Sequence, residues 1–161
     1  MRLIIAAVGL GALAMLAAPP TLAQPRPKSP TDQGQTARKG PHRVVIQVTQ
    51  NDPALMNTAL NNAENLVRYY ESKGEKIEIE FVTYGPGLNM VRSDTSPVKD
   101  RLTAIAGNMK NVSFSGCENT RAGQSRAENK AISLVSEAKI VPTGIGRVVE
   151  LEEQGWTYVR P

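Results

Sequence analysis

RVVIQVTQNDPALMNTALNNAENLVRYY, residues 43–70, joins a strand pattern to a helix pattern. Residues 43–49 are rich in β-branched side chains, which favour a β-strand. Asp52 is a typical helix N-cap, and Pro53 suits the first helical position because its missing N–H would have no partner there. From residue 55 to residue 70, apolar side chains recur at helical spacing. The stretch therefore predicts one β–α unit.

The rest of the chain repeats this alternation of strand-length and helix-length apolar segments. Parallel strands joined by right-handed helical crossovers form a sheet that helices cover on both faces. The predicted fold is therefore an α/β three-layer sandwich (α/β/α) around a mostly parallel five-stranded sheet. The later predicted strands lie at 76–84, 111–116, 139–142 and 156–160, and the later helices at 96–108, about 123–138 and 145–154.

The first 23 residues have the pattern of a secretory signal peptide. Arg2 precedes an uncharged apolar run of 16 residues, and small side chains precede the expected cleavage after Ala23. The run is shorter than the roughly 20 residues of a membrane span. We therefore expect export to the periplasm without stable membrane insertion, with a retained anchor as the alternative. Residues 24–41, rich in proline, glycine and basic residues, predict a disordered tether before a domain at 42–161.

The charge of the chain is concentrated before the predicted domain. The whole sequence has a net charge of +4, but residues 42–161 contain 14 basic and 14 acidic residues. The chain has two phenylalanines and one tryptophan. A neutral domain with so few aromatic residues lacks the basic surface and stacking platform of a nucleic-acid binder. We therefore expect no nucleic-acid partner.

Cys117, the single cysteine of the chain, directly follows the third predicted strand. Ligands of open parallel sheets bind beyond the carboxyl ends of the strands, where the following helices begin. The backbone amides of such a helix favour a thiolate. Cys117 is thus a candidate nucleophile or sulfur carrier. Two alternatives are a buried packing residue at the strand end and an intermolecular disulfide.

Several other classes of site are not expected. His42, the only histidine, precedes the first strand and so lies at the opposite end of the sheet from Cys117, which argues against a cysteine–histidine dyad. One histidine and one cysteine without ligand spacing predict no metal site. GPGL, residues 85–88, lacks the third glycine of a dinucleotide-binding turn and predicts a tight turn. No cofactor is expected.

The candidate pocket around Cys117 is drawn from the segments that follow the predicted strands. Asn57 is added because it is the asparagine nearest the start of its helix. Arg121 would favour ionisation of the thiol, and Glu118 would oppose it. The candidate pocket residues are Asn51, Asp52, Asn57, Gly85, Gly87, Gly116, Asn119, Thr120, Arg121, Thr143 and Gly144.

With these stretches placed, the sequence resembles the DsrE/DsrF-like family, which has the YchN-like fold. The resemblance spans residues 42–161 and is carried by RVVIQVTQNDP, LNNAENL, IEIEFVTYGPGLNM, VSFSGCENT and VPTGIGRVVELEEQGWTYVRP. It implies the same α/β/α sandwich, a homotrimer or homohexamer, and in some members a cysteine after the third strand that holds sulfane sulfur as a persulfide. Cys117 occupies that position. The chain departs from those members in its predicted export and in Glu118-Asn119-Thr120-Arg121 after the cysteine.

Two functional hypotheses follow. The first is a periplasmic sulfur carrier, or sulfurtransferase-like relay protein, whose partners are a sulfane donor and an acceptor. The absence of a second cysteine fits a carrier better than a disulfide oxidoreductase. The second is a non-catalytic oligomeric module of the same fold that binds a small ligand or assists assembly.

Overall fold

Parallel strands form the centre of the molecule. The computed structural model describes residues 40–161, so the predicted signal peptide (1–23) and residues 24–39 of the predicted tether lie outside the described residues. Within that part of the chain, five strands form one sheet in the order β4-β3-β2-β1-β5, and every neighbouring pair is parallel. The strands are β1 (His42–Val48), β2 (Ile77–Thr83), β3 (Val112–Cys117), β4 (Ala138–Val141) and β5 (Thr157–Val159).

Helices connect each strand to the next. The order of elements confirms the predicted alternation and the α/β class. Asp52 caps the first helix by accepting hydrogen bonds from the backbone N–H groups of Ala54 and Leu55, as the sequence predicts. The helices are α1 (Pro53–Glu71), α2 (Lys99–Asn108), α3 (Glu118–Glu128) and α4 (Gly144–Glu153), and a 3-10 helix (Gly85–Val91) follows β2.

The two faces of the sheet pack against different helices. Successive side chains of a strand point to opposite faces. Ile46, Phe81 and Phe114 belong to a cluster that includes the apolar sides of α1 and α2, and the Phe81 and Phe114 rings stack with centroids 5.1 Å apart. Val45 and Val82 pack on the other face with residues of α4. The sheet therefore lies between two helical layers, as the three-layer prediction requires.

The chain changes direction after β4. The connections from β1 to β4 each lead to the next strand in the same direction across the sheet. The connection through α4 then runs from the β4 edge to β5, at the opposite edge beside β1. The carboxyl ends of β3 and β4 are neighbours, yet they lead into different helices, α3 and α4. Such a divergence opens a crevice in an open α/β sheet.

Two local predictions are wrong. The third helix was predicted at about 123–138, but α3 begins at Glu118 and ends at Glu128, where Asn129 adopts a left-handed φ of 49°. The apolar residues that follow belong to an extended segment, in which Leu134 pairs with Arg92 in an antiparallel bridge. The apolar spacing that suggested a helix therefore belongs to a non-helical segment that pairs with Arg92. Residues 85–88, predicted as a tight turn, form the start of the 3-10 helix.

Candidate functional site

Cys117 is both the last residue of β3 and the N-cap of α3. Its Sγ accepts a hydrogen bond from the backbone N–H of Thr120 at 3.4 Å. Because strand side chains alternate, Cys117 lies on the α4 face of the sheet, on which Ser115 also lies, while Gly116 lies on the α1 and α2 face. The sequence placed Cys117 at the carboxyl end of β3 but expected a loop after it, whereas the helix begins at once.

The pKa of the Cys117 thiol is set by two opposing effects. Burial raises it, because a thiolate loses hydration. The Thr120 hydroxyl and the backbone N–H groups of Thr120, Gly144 and Asn119 lower it, and together they bring the pKa below its usual value. Of these groups, the Thr120 N–H makes the hydrogen bond to Sγ, while the Asn119 N–H donates to the carbonyl of Pro142 at 3.4 Å. The groups that lower the pKa come from the first turns of both α3 and α4. They stabilise the charged form of the sulfur, which is the nucleophilic form.

Thr120 is held in place by a second hydrogen bond. Its Oγ1 accepts the backbone N–H of Gly85 at 3.1 Å, so the hydroxyl proton is free to point towards Cys117. Gly85 has a φ of +55°, a conformation that favours glycine. Its carbonyl accepts a hydrogen bond from the Gln124 side chain at 3.2 Å. The start of the 3-10 helix and α3 thus hold each other beside the sulfur.

Gly144 allows α4 to approach the sheet closely. It is buried, and a Cβ atom at this position would lie 2.5 Å from Cδ1 of Tyr84. Tyr84 directly follows β2, and its ring therefore packs where a larger residue 144 would need space. Burial raises the pKa of Tyr84, so its hydroxyl stays protonated near neutral pH.

A chain of neutral hydrogen bonds extends from Tyr84 towards β5. The Gln47 amide donates to the Tyr84 hydroxyl, and the Tyr158 hydroxyl donates to Oε1 of Gln47 at 2.5 Å. Sequence reasoning missed these three residues. Tyr84 could have been found from the sequence, because it ends the second apolar run and so lies at the carboxyl ends of the strands, as Cys117 does. Gln47 lies within a strand pattern, and the order of the strands brings it to Tyr84 and Tyr158. No local sequence signal therefore marks it.

The remaining predicted glycines and Thr143 have packing roles. Gly116 faces Leu134 on the other side of the sheet, where a Cβ would lie 2.5 Å from its Cδ1. A Cβ on Gly87 would lie 2.3 Å from the carbonyl oxygen of Val48. Thr143 is the N-cap of α4, but its side chain makes no capping hydrogen bond. These residues shape the backbone around the site.

Arg121 and Glu118 bind each other. The Arg121 guanidinium donates to both Glu118 carboxylate oxygens at 2.8 Å, and it also donates to the carbonyl of Ile132 at 2.9 Å. The pKa of Glu118 is lowered by this pairing. Arg121 and Glu118 thus neutralise each other, and the pKa of Cys117 depends on burial, the Thr120 hydroxyl and nearby backbone N–H groups.

The predicted residues from the β1–α1 connection are engaged elsewhere. Asp52 caps α1, and Asn51 accepts a hydrogen bond from the Asn89 amide at 2.8 Å. Asn57 accepts from Arg101 of α2 at 2.8 Å. The residues around Cys117 are instead Gly85, Asn119, Thr120 and Gly144 of the predicted set, together with Tyr84, which packs on Gly144.

Cys117 is a free thiol with 4% of its surface exposed. Within residues 40–161, no three metal-ligating side chains of the histidine, cysteine or carboxylate type come together. In the same part of the chain, none of the helices has the length and apolar character needed to cross a membrane.

Comparison with known proteins supports the fold. The chain is similar to the solved structure of MTH1491 from Methanobacterium thermoautotrophicum, a protein of unknown function, with a TM-score of 0.62 and 28% sequence identity. The match covers 74% of this chain and 99% of that protein. No protein-family model matches the chain, and no curated protein matches it. The likeness therefore concerns architecture and leaves the chemistry of the site to be argued from its residues.

Proposed function

We propose that this protein is an exported sulfur carrier of the DsrE type, in which Cys117 holds sulfane sulfur as a persulfide. The observation that carries the proposal is the position of Cys117 as the N-cap of α3, where its sulfur accepts the Thr120 N–H at 3.4 Å. The Thr120 hydroxyl and the backbone N–H groups of Asn119, Thr120 and Gly144 all lower the pKa of Cys117. A packing cysteine needs no such donors, whereas a nucleophilic thiolate does.

The proposed transfer conserves atoms and electrons. The Cys117 thiolate attacks the outer sulfur of thiosulfate or a terminal sulfur of polysulfide. A new S–S bond forms at Cys117, the S–S bond of the donor breaks, and sulfite or a shortened polysulfide leaves with the electron pair. An acceptor thiolate then attacks the outer sulfur of the persulfide and releases the Cys117 thiolate. The groups that stabilise the Cys117 thiolate assist both steps, because the thiolate is the attacking group in the first step and the leaving group in the second.

The proposal includes three statements about the setting of the reaction. The signal-peptide pattern of residues 1–23 supports export to the periplasm. The resemblance to the DsrE/DsrF-like family supports a homotrimer or homohexamer. A sulfane donor and an acceptor thiol are the partners that the chemistry requires.

A second candidate function is a non-catalytic binding or assembly module. The low exposure of Cys117, 4%, favours it, because a carrier must admit its donor. Ile145 and Val149, one turn apart on α4, are 53% and 46% exposed and give such a module an apolar contact surface. In this alternative, the thiol contributes only to packing at the end of β3.

Intact mass spectrometry of the protein with polysulfide or thiosulfate tests the first proposal. We expect a gain of one or more sulfur atoms that dithiothreitol removes. Cys117→Ser is the matched control, since it leaves the chain without a thiol and should gain none. A thiol that stays unmodified in the folded protein, but reacts with an alkylating agent after unfolding, contradicts the carrier and supports the module.

A further inference from the structure

A buried carboxylate lies under α4, on the same face of the sheet as Cys117. Glu80 of β2 has 6% of its surface exposed. Arg147 of α4 donates from Nε to Oε1 at 2.9 Å and from Nη2 to Oε2 at 2.8 Å. Ser115 of β3 donates its hydroxyl to Oε1 at 2.7 Å. The two-pronged contact fixes the orientation of the guanidinium as well as its distance.

These bonds attach the first turn of α4 to the two strands beside the site. Arg147 comes three residues after Gly144, so the two residues lie on the same side of the helix. Ser115 comes two residues before Cys117 and points to the same face. Cys117 pairs with Val141 of β4, and the Asn119 N–H donates to the Pro142 carbonyl at 3.4 Å, so the chain enters α4 directly beside the cysteine. The ion pair thus joins β2, β3 and α4 next to Cys117.

The first turn of α4 needs such an attachment. The Thr143 side chain makes no capping hydrogen bond, and a missing cap typically costs a helix about 1 kcal/mol. Gly144 and Gly146 both lie in this turn, and glycine weakens a helix relative to alanine. The local sequence alone would therefore give the first turn of α4 little stability.

We propose that Glu80 and Arg147 are positioning residues that hold the first turn of α4, whose first N–H groups have no partner within the helix, beside Cys117. The inference rests on the proposed function only in taking Cys117 as the reactive group, and it is independent of which sulfur compound reacts. Both residues act on the sulfur through the backbone of α4.

The test is the pH dependence of Cys117 alkylation by iodoacetamide in Glu80→Gln/Arg147→Met. The double substitution leaves net charge unchanged and avoids an unpaired buried charge, which would itself destabilise the protein. If the first turn of α4 is no longer held beside Cys117, its N–H groups stabilise the thiolate less. The midpoint of the profile then moves to higher pH, and alkylation near neutral pH slows by roughly threefold to tenfold. The other ionisable groups near Glu80, Arg147 and Cys117 stay unchanged: Lys139, Glu150, Tyr84 and the Glu118–Arg121 pair.

Arg43→Met/Glu78→Gln is the matched control. This pair joins β1 and β2 through the same residue types, with Nε and Oε2 at 3.3 Å, but it is exposed. Glu78 lies on the same face as Glu80, two residues nearer the amino end of β2. We expect its double variant to keep the wild-type midpoint. A shift of equal size in this control, or no shift in Glu80→Gln/Arg147→Met, overturns the inference.

Arg147→Lys covers the case in which the double variant fails to fold. Lysine keeps the charge but cannot make the two-pronged contact, so a smaller shift in the same direction is expected, and an unchanged midpoint overturns the inference. Sulfur loading of the wild type is measured in parallel. If the wild type takes up no sulfur while the midpoint shifts as expected, the proposed function fails and the positioning role stands.

Discussion

The two faces of the sheet differ in what fills them. Among residues 40–161, twenty buried apolar residues form the cluster that includes α1, α2 and the 3-10 helix. Four form the cluster under α4. The α4 face holds polar groups instead, including buried Glu80 and Ser115 and the thiol of Cys117. One face thus supplies most of the apolar burial, and the other carries the groups capable of chemistry.

Neighbouring residues at the end of β3 show the same division. Gly116 faces apolar side chains on the α1 and α2 face, where a Cβ would lie close to Leu134, Leu88 and Val91. Cys117 faces the α4 side, where its sulfur accepts the Thr120 N–H at 3.4 Å. The groups of the site therefore lie on the face with little apolar burial, while the face with more apolar burial stabilises the sheet.

Matched leucines measure the difference between the faces most directly. Leu60 of α1 and Leu151 of α4 are both 0% exposed. We expect Leu60→Ala to lower the free energy of unfolding by about 4 kcal/mol and Leu151→Ala by about 2 kcal/mol, because a small cluster relaxes around a cavity more easily. Urea denaturation measures both.

Val149→Ala serves as the control for this pair, since it removes apolar atoms from an exposed position of α4 and should change the free energy of unfolding by less than about 0.5 kcal/mol. Equal losses for the two leucines would remove the energetic distinction between the faces.

The sequence predicted the fold through its strongest local signals. Apolar, β-branched runs placed each strand to within two residues at either end. Asp52-Pro53 placed the start of α1. The third helix failed because Ile132, Leu134 and Val135 follow a helical segment at a spacing that also suits an extended chain. Their partners, Val91 at the end of the 3-10 helix and Arg92 directly after it, are distant in sequence, so a local pattern could not separate the two conformations.

The site was predictable only in part, for a related reason. Topology alone places Cys117 at the carboxyl edge beside Gly144, because β3 and β4 both end there. The donors on the sulfur depend on where helices begin to within one residue, and sequence signals seldom give that precision. Glu80 and Arg147, 67 positions apart, are paired by strand order and by the path of α4, which no short motif records.

A methyl group added at Gly144 or at Gly116, on the two sides of the sheet, should separate effects on stability from effects on thiol reactivity. Gly144→Ala places its Cβ within 2.7 Å of three Tyr84 atoms, so α4 must move; we expect a loss of about 2 kcal/mol and a higher pH midpoint for alkylation. Gly116→Ala meets the flexible end of Leu134 at 2.5 Å, with an expected loss of about 1 kcal/mol. Its alkylation midpoint should match the wild type.

Urea denaturation and iodoacetamide kinetics on the same preparations measure both quantities. If Gly116→Ala moved the midpoint as far as Gly144→Ala, thiol reactivity would depend on both layers and the division between the faces would not hold.

The smallest effect expected is the linkage between thiol ionisation and stability. The pKa of Cys117 is lowered in the folded protein, whereas an unfolded thiol titrates at about 8.5. Such a group contributes stability that is fully present above the unfolded pKa and is lost as the pH falls through the folded pKa. The free energy of unfolding of the wild type, relative to Cys117→Ser, should therefore increase from neutral to alkaline pH.

The sign of this difference separates the two functions proposed for the site. If burial outweighed the donors, the folded pKa would be raised, and the wild type would lose stability relative to Cys117→Ser as the pH rises. Urea denaturation at several pH values compares the two proteins, and Glu80→Gln/Arg147→Met in both backgrounds should reduce the gain if Gly144 is a donor. A gain at alkaline pH means that the α4 face is built to hold a thiolate, which is what a carrier needs and a packing residue does not.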